Sequence, residues 1–262
     1  MAIKILFTDM EGTVFKKDVR IDRGVVAPSL WAGIALTLTE SEEGQRVASV
    51  CGKTAWDVEK RLQDEWAARG FSKYVEFVDD TVRQVHAPYG LKRDVFDSLV
   101  AGVEYQKGVH ETFAYLREQG IMSAMVTGGF WEQARRAQCD LGIRHVAASC
   151  EYNWAADDTI HSWNSLPYDE VGKVHFLRDI IREHGLDPSE CAFIGDGKND
   201  RHLAREVGLA IGITPQDGLV PACHAIIREP DYRAVIDIFR SYDGTIGSIP
   251  EPLRNDAYSP AP

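Results

Sequence analysis

The chain has 262 residues, of which 44% are hydrophobic, and a formal net charge of -11. That length and apolar content build one large domain or two modest ones around a substantial core. The acidic balance excludes nucleic acid as the main partner, since phosphate backbones are held by clustered Lys and Arg; it suits a divalent cation instead.

The first element is an apolar run, Ile3-Lys4-Ile5-Leu6-Phe7, with the length and composition of a strand buried in a sheet. Two carboxylates spaced one residue apart, Asp9 and Glu11, follow at its end, with Gly12 and Thr13 next. Open α/β sheets bind ligands at the carboxyl ends of their strands. Residues i and i+2 of a strand share a face, so both acids can address one crevice. Solvated acids in an ordinary turn would give the same local pattern.

From Lys16 to Gln106 the composition becomes helical. Val25, Leu30, Ile34, Leu36 and Leu38 outline one helical region broken near Pro28, and Ala55, Val58, Glu59, Leu62 and Trp66 a second ended by Gly70. Tyr74 to Val85 gives a third, stopped before Pro88 and Gly90, and Val95, Leu99 and Val103 a fourth. This block reads as a helical insert outside the sheet. Strands and helices then alternate: a helix over 109–119, a strand over 121–126, a helix over 131–141, a strand at 146–148, a helix over 173–184, a strand over 191–194, a helix over 201–207, and strands over 209–213 and 225–227. Such alternation with short links predicts a parallel sheet covered on both faces, a three-layer α/β architecture. From Ser241 onward Gly, Ser and Pro suggest a loose tail.

The five cysteines are odd in number and form no C-x-x-C pair, so they read as small hydrophobes in a reduced compartment. The N-terminus lacks the charged start and apolar middle of a signal peptide, and no apolar run approaches the ~20 residues of a membrane span. The expectation is a cytoplasmic protein with no membrane contact. Oligomeric state is left open.

Three later strand ends carry chemistry. Thr127-Gly128-Gly129 offers a hydroxyl and a glycine turn before a helix, which either holds an anion or only caps the helix. Lys173 stands in a first helical turn, where its charge opposes the helix dipole unless an anion offsets it; a solvated surface lysine is the plainer reading. Gly195-Asp196-Gly197-Lys198-Asn199-Asp200 places two acids in a glycine-rich turn, a pattern suited to Mg²⁺.

Together, Asp9-Met10-Glu11-Gly12-Thr13, Thr127, Lys173, and Gly195-Asp196 with Asp200 resemble, in order and spacing, the four motifs of haloacid dehalogenase superfamily phosphatases. The phosphoserine phosphatase branch is the nearest likeness, through Thr127-Gly128-Gly129-Phe130, the stretch 195–200 and the insert after the first motif. The resemblance implies a Rossmann-like catalytic core over 1–15 and 107–240, a helical cap over 16–106 and a flexible tail over 241–262. It implies Mg²⁺-dependent hydrolysis of a small-molecule phosphomonoester through an aspartyl-phosphate. Asp9 would attack and Glu11 would act as acid and base. Asp9, Asp196, Asp200 and the Glu11 carbonyl would serve the metal, while Thr127, Gly128, Lys173 and Asn199 would hold the phosphoryl group.

Glutamate at position 11 departs from the branch's aspartate and resembles a group that also passes phosphate to an alcohol. Phosphotransfer and non-catalytic ligand binding therefore stand as alternatives. Lys198 is a second departure, read as a solvated turn residue. Phosphoserine is the first named substrate. Asp18 and Arg83 match the stretches that bind its amino and carboxylate groups. Trp31, Trp56, Trp66, Tyr74 and Phe77 either line a pocket or fill the cap's core.

Overall fold

A computed structural model describes residues 3–21, 24–69 and 73–258. Strand β1 is Ile5–Thr8, buried along its whole length. Ile5 and Phe7 join one hydrophobic cluster and Leu6 the other, as alternation along a strand requires. Burial on both faces explains why the run is apolar throughout.

The insert opens with a hairpin, β2 (Val19–Arg20) paired antiparallel to β3 (Val26–Ala27). It continues with α1 (Leu30–Glu40), α2 (Glu42–Cys51), α3 (Ala55–Ala68), α4 (Tyr74–Thr81) running into a π-helical turn at Val82–His86, and α5 (Arg93–Gly102). The Ser29 hydroxyl accepts from the Ala32 N–H at 3.1 Å, which fixes the start of α1 just after Pro28. Val25 therefore belongs to the hairpin, where its carbonyl accepts from the Ile21 N–H, and not to the first helix. Helix α2 has no apolar stripe to betray it, since Gly44 is its one buried residue. Gly70, expected to end the second helix, lies outside the described residues.

The remaining elements are α6 (Val109–Glu118), β4 (Met122–Phe130), α7 (Trp131–Leu141), β5 (His145–Trp154), β6 (Ile160–Ser165), α8 (Val171–His184), β7 (Cys191–Gly195), α9 (Arg201–Ala204), β8 (Leu209–Ile213), β9 (Ala225–Ile227) and α10 (Ala234–Ser241). Among the described residues the main sheet runs β6-β5-β4-β1-β7-β8-β9. Residues of α6, α7 and α10 pack on the face that carries Leu6, and those of α8 and α9 on the face that carries Ile5 and Phe7. The three-layer α/β core is thus present.

The sheet is parallel, as expected, except at one edge, where β6 lies antiparallel to β5. Its residues are half-buried or exposed, so the sequence carried no buried apolar run there. Strand β4 also continues through Thr127-Gly128-Gly129 to Phe130, with a register shift against β5, where a glycine turn was expected. The stretch expected to be a loose tail packs on the core as far as Asn255: Ile249 is buried, and the Asn255 amide donates to the Cys223 carbonyl at 2.6 Å and the Val220 carbonyl at 2.8 Å.

Register sets where the chemistry emerges. Thr8 pairs with both Met125 and Ile194, so Asp9, Thr127 and Asp196 leave three neighbouring strands at one end of the sheet. The insert sits over that end. The Trp31 ring meets Phe130 at 4.2 Å, and Trp163 Nε1 of β6 donates to Asp79 of α4 at 2.9 Å.

Candidate active site

A cavity of about 540 Å³ lies between the strand ends and the insert. Its floor includes Asp9, Glu11, Thr127, Gly128, Asp169, Asp196 and Asn199. Lys173 lies beneath, fully buried. Its Nζ donates to Asp9 Oδ1 at 2.7 Å and Asp200 Oδ1 at 2.6 Å, and stands 3.9 Å from Asp169. These carboxylates supply the counter-charge that a lysine in a first helical turn requires. Burial alone would disfavour its ammonium, but Asp200, Asp9 and Asp169 outweigh burial and hold its pKa above the ordinary lysine value.

Asp200 also accepts from the Gly197 N–H at 3.0 Å, which ties the 195–200 turn to its own acid. A Cβ on Gly195 would stand 2.4 Å from Asp200, so this close approach requires glycine. Gly12, at φ +79°, plays the same part for the opposite loop, since a Cβ there would meet Asp196 at 2.5 Å. Lys17 Nζ lies 3.3 Å from Asp196 Oδ2.

Oxygens of Asp9, Asp196 and Asp200 all lie within 4.8 Å of one another. Buried or nearly buried carboxylates of this kind are hard donors that fit Mg²⁺. The charge balance agrees: Asp9, Asp169, Asp196 and Asp200 face the ammoniums of Lys173 and Lys17, an excess of negative charge that a divalent cation would offset. Without such a cation, desolvation and then the charge of Asp9 raise the pKa of Asp196.

Glu11 lines the cavity near the Leu30 N–H of α1, which favours its charged form. Desolvation, then repulsion from Asp9, raises its pKa to about 7. Thr127 Oγ1 accepts from the Gly129 N–H at 2.9 Å, so that amide is satisfied within the chain. Asn199 Nδ2 donates to Asp169 Oδ1 at 2.6 Å.

Asp9, Glu11, Thr127, Gly128, Lys173, Asp196, Asn199 and Asp200 are therefore gathered at one place. Asp18 and Arg83 are not. Lys17 turns inward to Asp196, and its neighbour Asp18 is exposed and off the cavity wall. Arg83 is exposed and paired with Asp79 one helical turn away. Lys198 lines the cavity rather than standing apart as a solvated turn residue. Trp31, Trp66, Tyr74 and Phe77 line it as well, and Trp56 does not. Asp169 escaped the sequence reading because nothing in its local sequence marks it; only the fold carries it to Lys173.

A model of the haloacid dehalogenase-like hydrolase family matches residues 7–205. The chain belongs to this family. A phosphoserine phosphatase of Halobacterium salinarum is 27% identical over 198 residues, 74% of this chain and 90% of the relative. One of Streptococcus thermophilus is 28% identical over 174 residues, 66% of this chain and 79% of that one. A solved substrate-bound phosphoserine phosphatase complex superposes with a TM-score of 0.65 at 17% identity, covering 90% of this chain and 98% of that one. A phospho-aspartyl intermediate analogue of phosphoserine phosphatase gives 0.66 at 18% identity with the same coverage. This haloacid dehalogenase-like hydrolase is an enzyme of the phosphatase kind, a phosphoric monoester hydrolase similar to phosphoserine phosphatases. No helix among the described residues is long and apolar enough to cross a membrane.

Proposed function

We propose that the enzyme hydrolyses a small-molecule phosphomonoester by attack of Asp9 on phosphorus, with Mg²⁺ as its cofactor. The convergence of Asp9, Asp196 and Asp200 around Lys173 carries this reading. Attack by a carboxylate splits one hard displacement into two easier ones through an aspartyl-phosphate. The name of the phospho-aspartyl structural neighbour supports that route.

Asp9, Asp196, Asp200 and the Glu11 carbonyl would hold Mg²⁺. When bound, it supplies positive charge beside the phosphoryl oxygens. Lys173, the Thr127 hydroxyl, the Gly128 N–H and the Asn199 amide steady the charge on the transferring group. Asp200 and Asp169 orient Lys173 and keep it protonated. Glu11, whose burial favours the protonated carboxyl, gives a proton to the leaving oxygen and later takes one from water. Residues 16–106 act as a cap that excludes bulk water over a core of 1–15 and 107–240. The relatives' name makes phosphoserine the first substrate to assay.

A panel of phosphate esters, assayed for phosphate release with and without Mg²⁺, tests this. Turnover lost on chelation and in Asp9→Asn is the expected result. Appearance of a phosphorylated alcohol when acceptors are added would assign phosphotransfer instead. Mg²⁺ binding with no turnover across the panel would overturn catalysis.

A further inference from the structure

The roof of the cavity is built from rings. Trp66 of α3 stacks on Phe77 of α4, with centroids 4.7 Å apart and planes 16° apart. Tyr74 joins Trp66 at 5.2 Å, and Trp31 of α1 meets Phe77 at 6.0 Å. All four rings line the cavity. The rings touch one another in a continuous wall and do not stand apart as the sides of a box.

What the roof lacks is as informative. Among the described residues no arginine lines the cavity. Arg61 of α3 and Arg83 of the π-helical turn after α4 are bound elsewhere: Arg61 to Glu65 and Gln84, and Arg83 to Asp79. Asp64 is the charged group that α3 adds to the lining, and it is an acid. The cations of the lining, Lys17 and Lys198, follow β1 and β7 and lie outside the helices of the roof. Against the roof itself, a leaving group with a free carboxylate would meet apolar ring faces and the like charge of Asp64, which is costly in a partly desolvated site. A flat apolar group would meet offset rings at favourable spacing.

We propose that the ring wall of Trp31, Trp66, Tyr74 and Phe77 selects phosphate esters of alcohols that carry a neutral or cationic aromatic ring, in preference to phosphoserine. This assignment rests on the phosphomonoesterase reading. It places the phosphoryl group on the floor, between Asp9 and Thr127, and the ring of the leaving alcohol against Trp66 and Phe77. Because the ring touches the wall in ground and transition state alike, it acts mainly through KM.

The test compares 2-phenylethyl phosphate with ethyl phosphate, phosphoserine and phosphocholine, all esters of primary alcohols, so that ring recognition is separated from leaving-group ability. The expected kcat/KM for 2-phenylethyl phosphate exceeds that for ethyl phosphate and phosphoserine by about two- to tenfold, the scale of aromatic contacts beyond their area burial. In Trp66→Ala the ratio of 2-phenylethyl to ethyl phosphate falls toward unity. Using the ratio within one variant removes any general loss from a disturbed cap. Calorimetric titration of the same four esters into Asp9→Asn measures their binding order without turnover. The ring ester binding tightest while the wild type turns over none of the esters would sink the hydrolase reading and leave the ring site standing. Turnover with phosphoserine or phosphocholine preferred would overturn the ring site and leave the hydrolase.

Discussion

The Tyr74 hydroxyl donates to the Gly128 carbonyl oxygen at 2.5 Å, joining the first turn of α4 to the strand end that carries Thr127. A Cβ on Gly128 would stand 2.9 Å from that phenol, so glycine is what permits the contact. The same pair closes one wall of the cavity. Tyr74→Phe removes one hydrogen bond of about 1 kcal/mol, and KM should rise roughly fivefold with kcat little changed. Gly128→Ala pushes the ring away and should cost more. Steady-state kinetics on ethyl phosphate check both.

Lys173 is the sole cation in contact with Asp9 and Asp200 among the described residues. Lys173→Met leaves those carboxylates buried and uncompensated. Breaking a buried pair in this way costs on the order of 3–5 kcal/mol, so the variant should unfold at markedly lower urea and have no turnover. Adding Mg²⁺ should restore part of the stability, through the Asp9, Asp196 and Asp200 oxygens, without restoring activity. Urea unfolding with and without the metal measures this.

Glu59 of α3 is buried, and desolvation raises its pKa from 4.5 to about 7. Between those values the folded chain holds a proton that the unfolded chain has released. Stability contributed by the protonated Glu59 is therefore full below pH 4.5 and is lost as pH rises toward 7. The window corresponds to roughly 3 kcal/mol. Glu59→Gln should remove that slope, so the variant gains on the wild type as pH rises from 4.5 to 7. Chemical denaturation across that range gives the difference directly.

Glu11 lines the cavity, and burial holds its carboxyl above the ordinary carboxylate range, as a proton donor to the leaving oxygen requires. Glu11→Gln should lower kcat by about 10²–10⁴, the usual worth of general acid–base help. Glu11→Asp keeps the carboxyl but draws it back by one methylene, and should fall between the two. Equal loss in both variants would show that position matters more than the proton.

Much of this site is legible in the sequence because it hangs on β1, β4 and β7, apolar strands: Asp9 and Asp196 mark the ends of β1 and β7, and Thr127 stands beside them in the longer β4. The register that brings these ends together follows from the parallel core. Lys173 was legible as an oddity of the helix dipole, though its counter-charge turned out to include Asp200 and Asp9. The insert was less legible. Helix α2 has no buried stripe, and the β2–β3 hairpin is two residues deep on each side. Asp18 and Arg83 were chosen by position along the chain, but a one-residue step turns Lys17 inward and Asp18 outward, and Asp79 holds Arg83 on the surface. Four of the five aromatic residues do line the cavity, a fact that composition alone leaves undecided against core packing.

The central claim is that Asp9 takes the phosphoryl group. The most direct measurement is rapid acid quench of the enzyme during turnover of a radiolabelled phosphate ester, followed by peptide mapping. An acid-stable, hydroxylamine-labile label on the peptide that carries Asp9, absent in Asp9→Asn, is the predicted result. Label on another residue, or full turnover by Asp9→Asn, would contradict it.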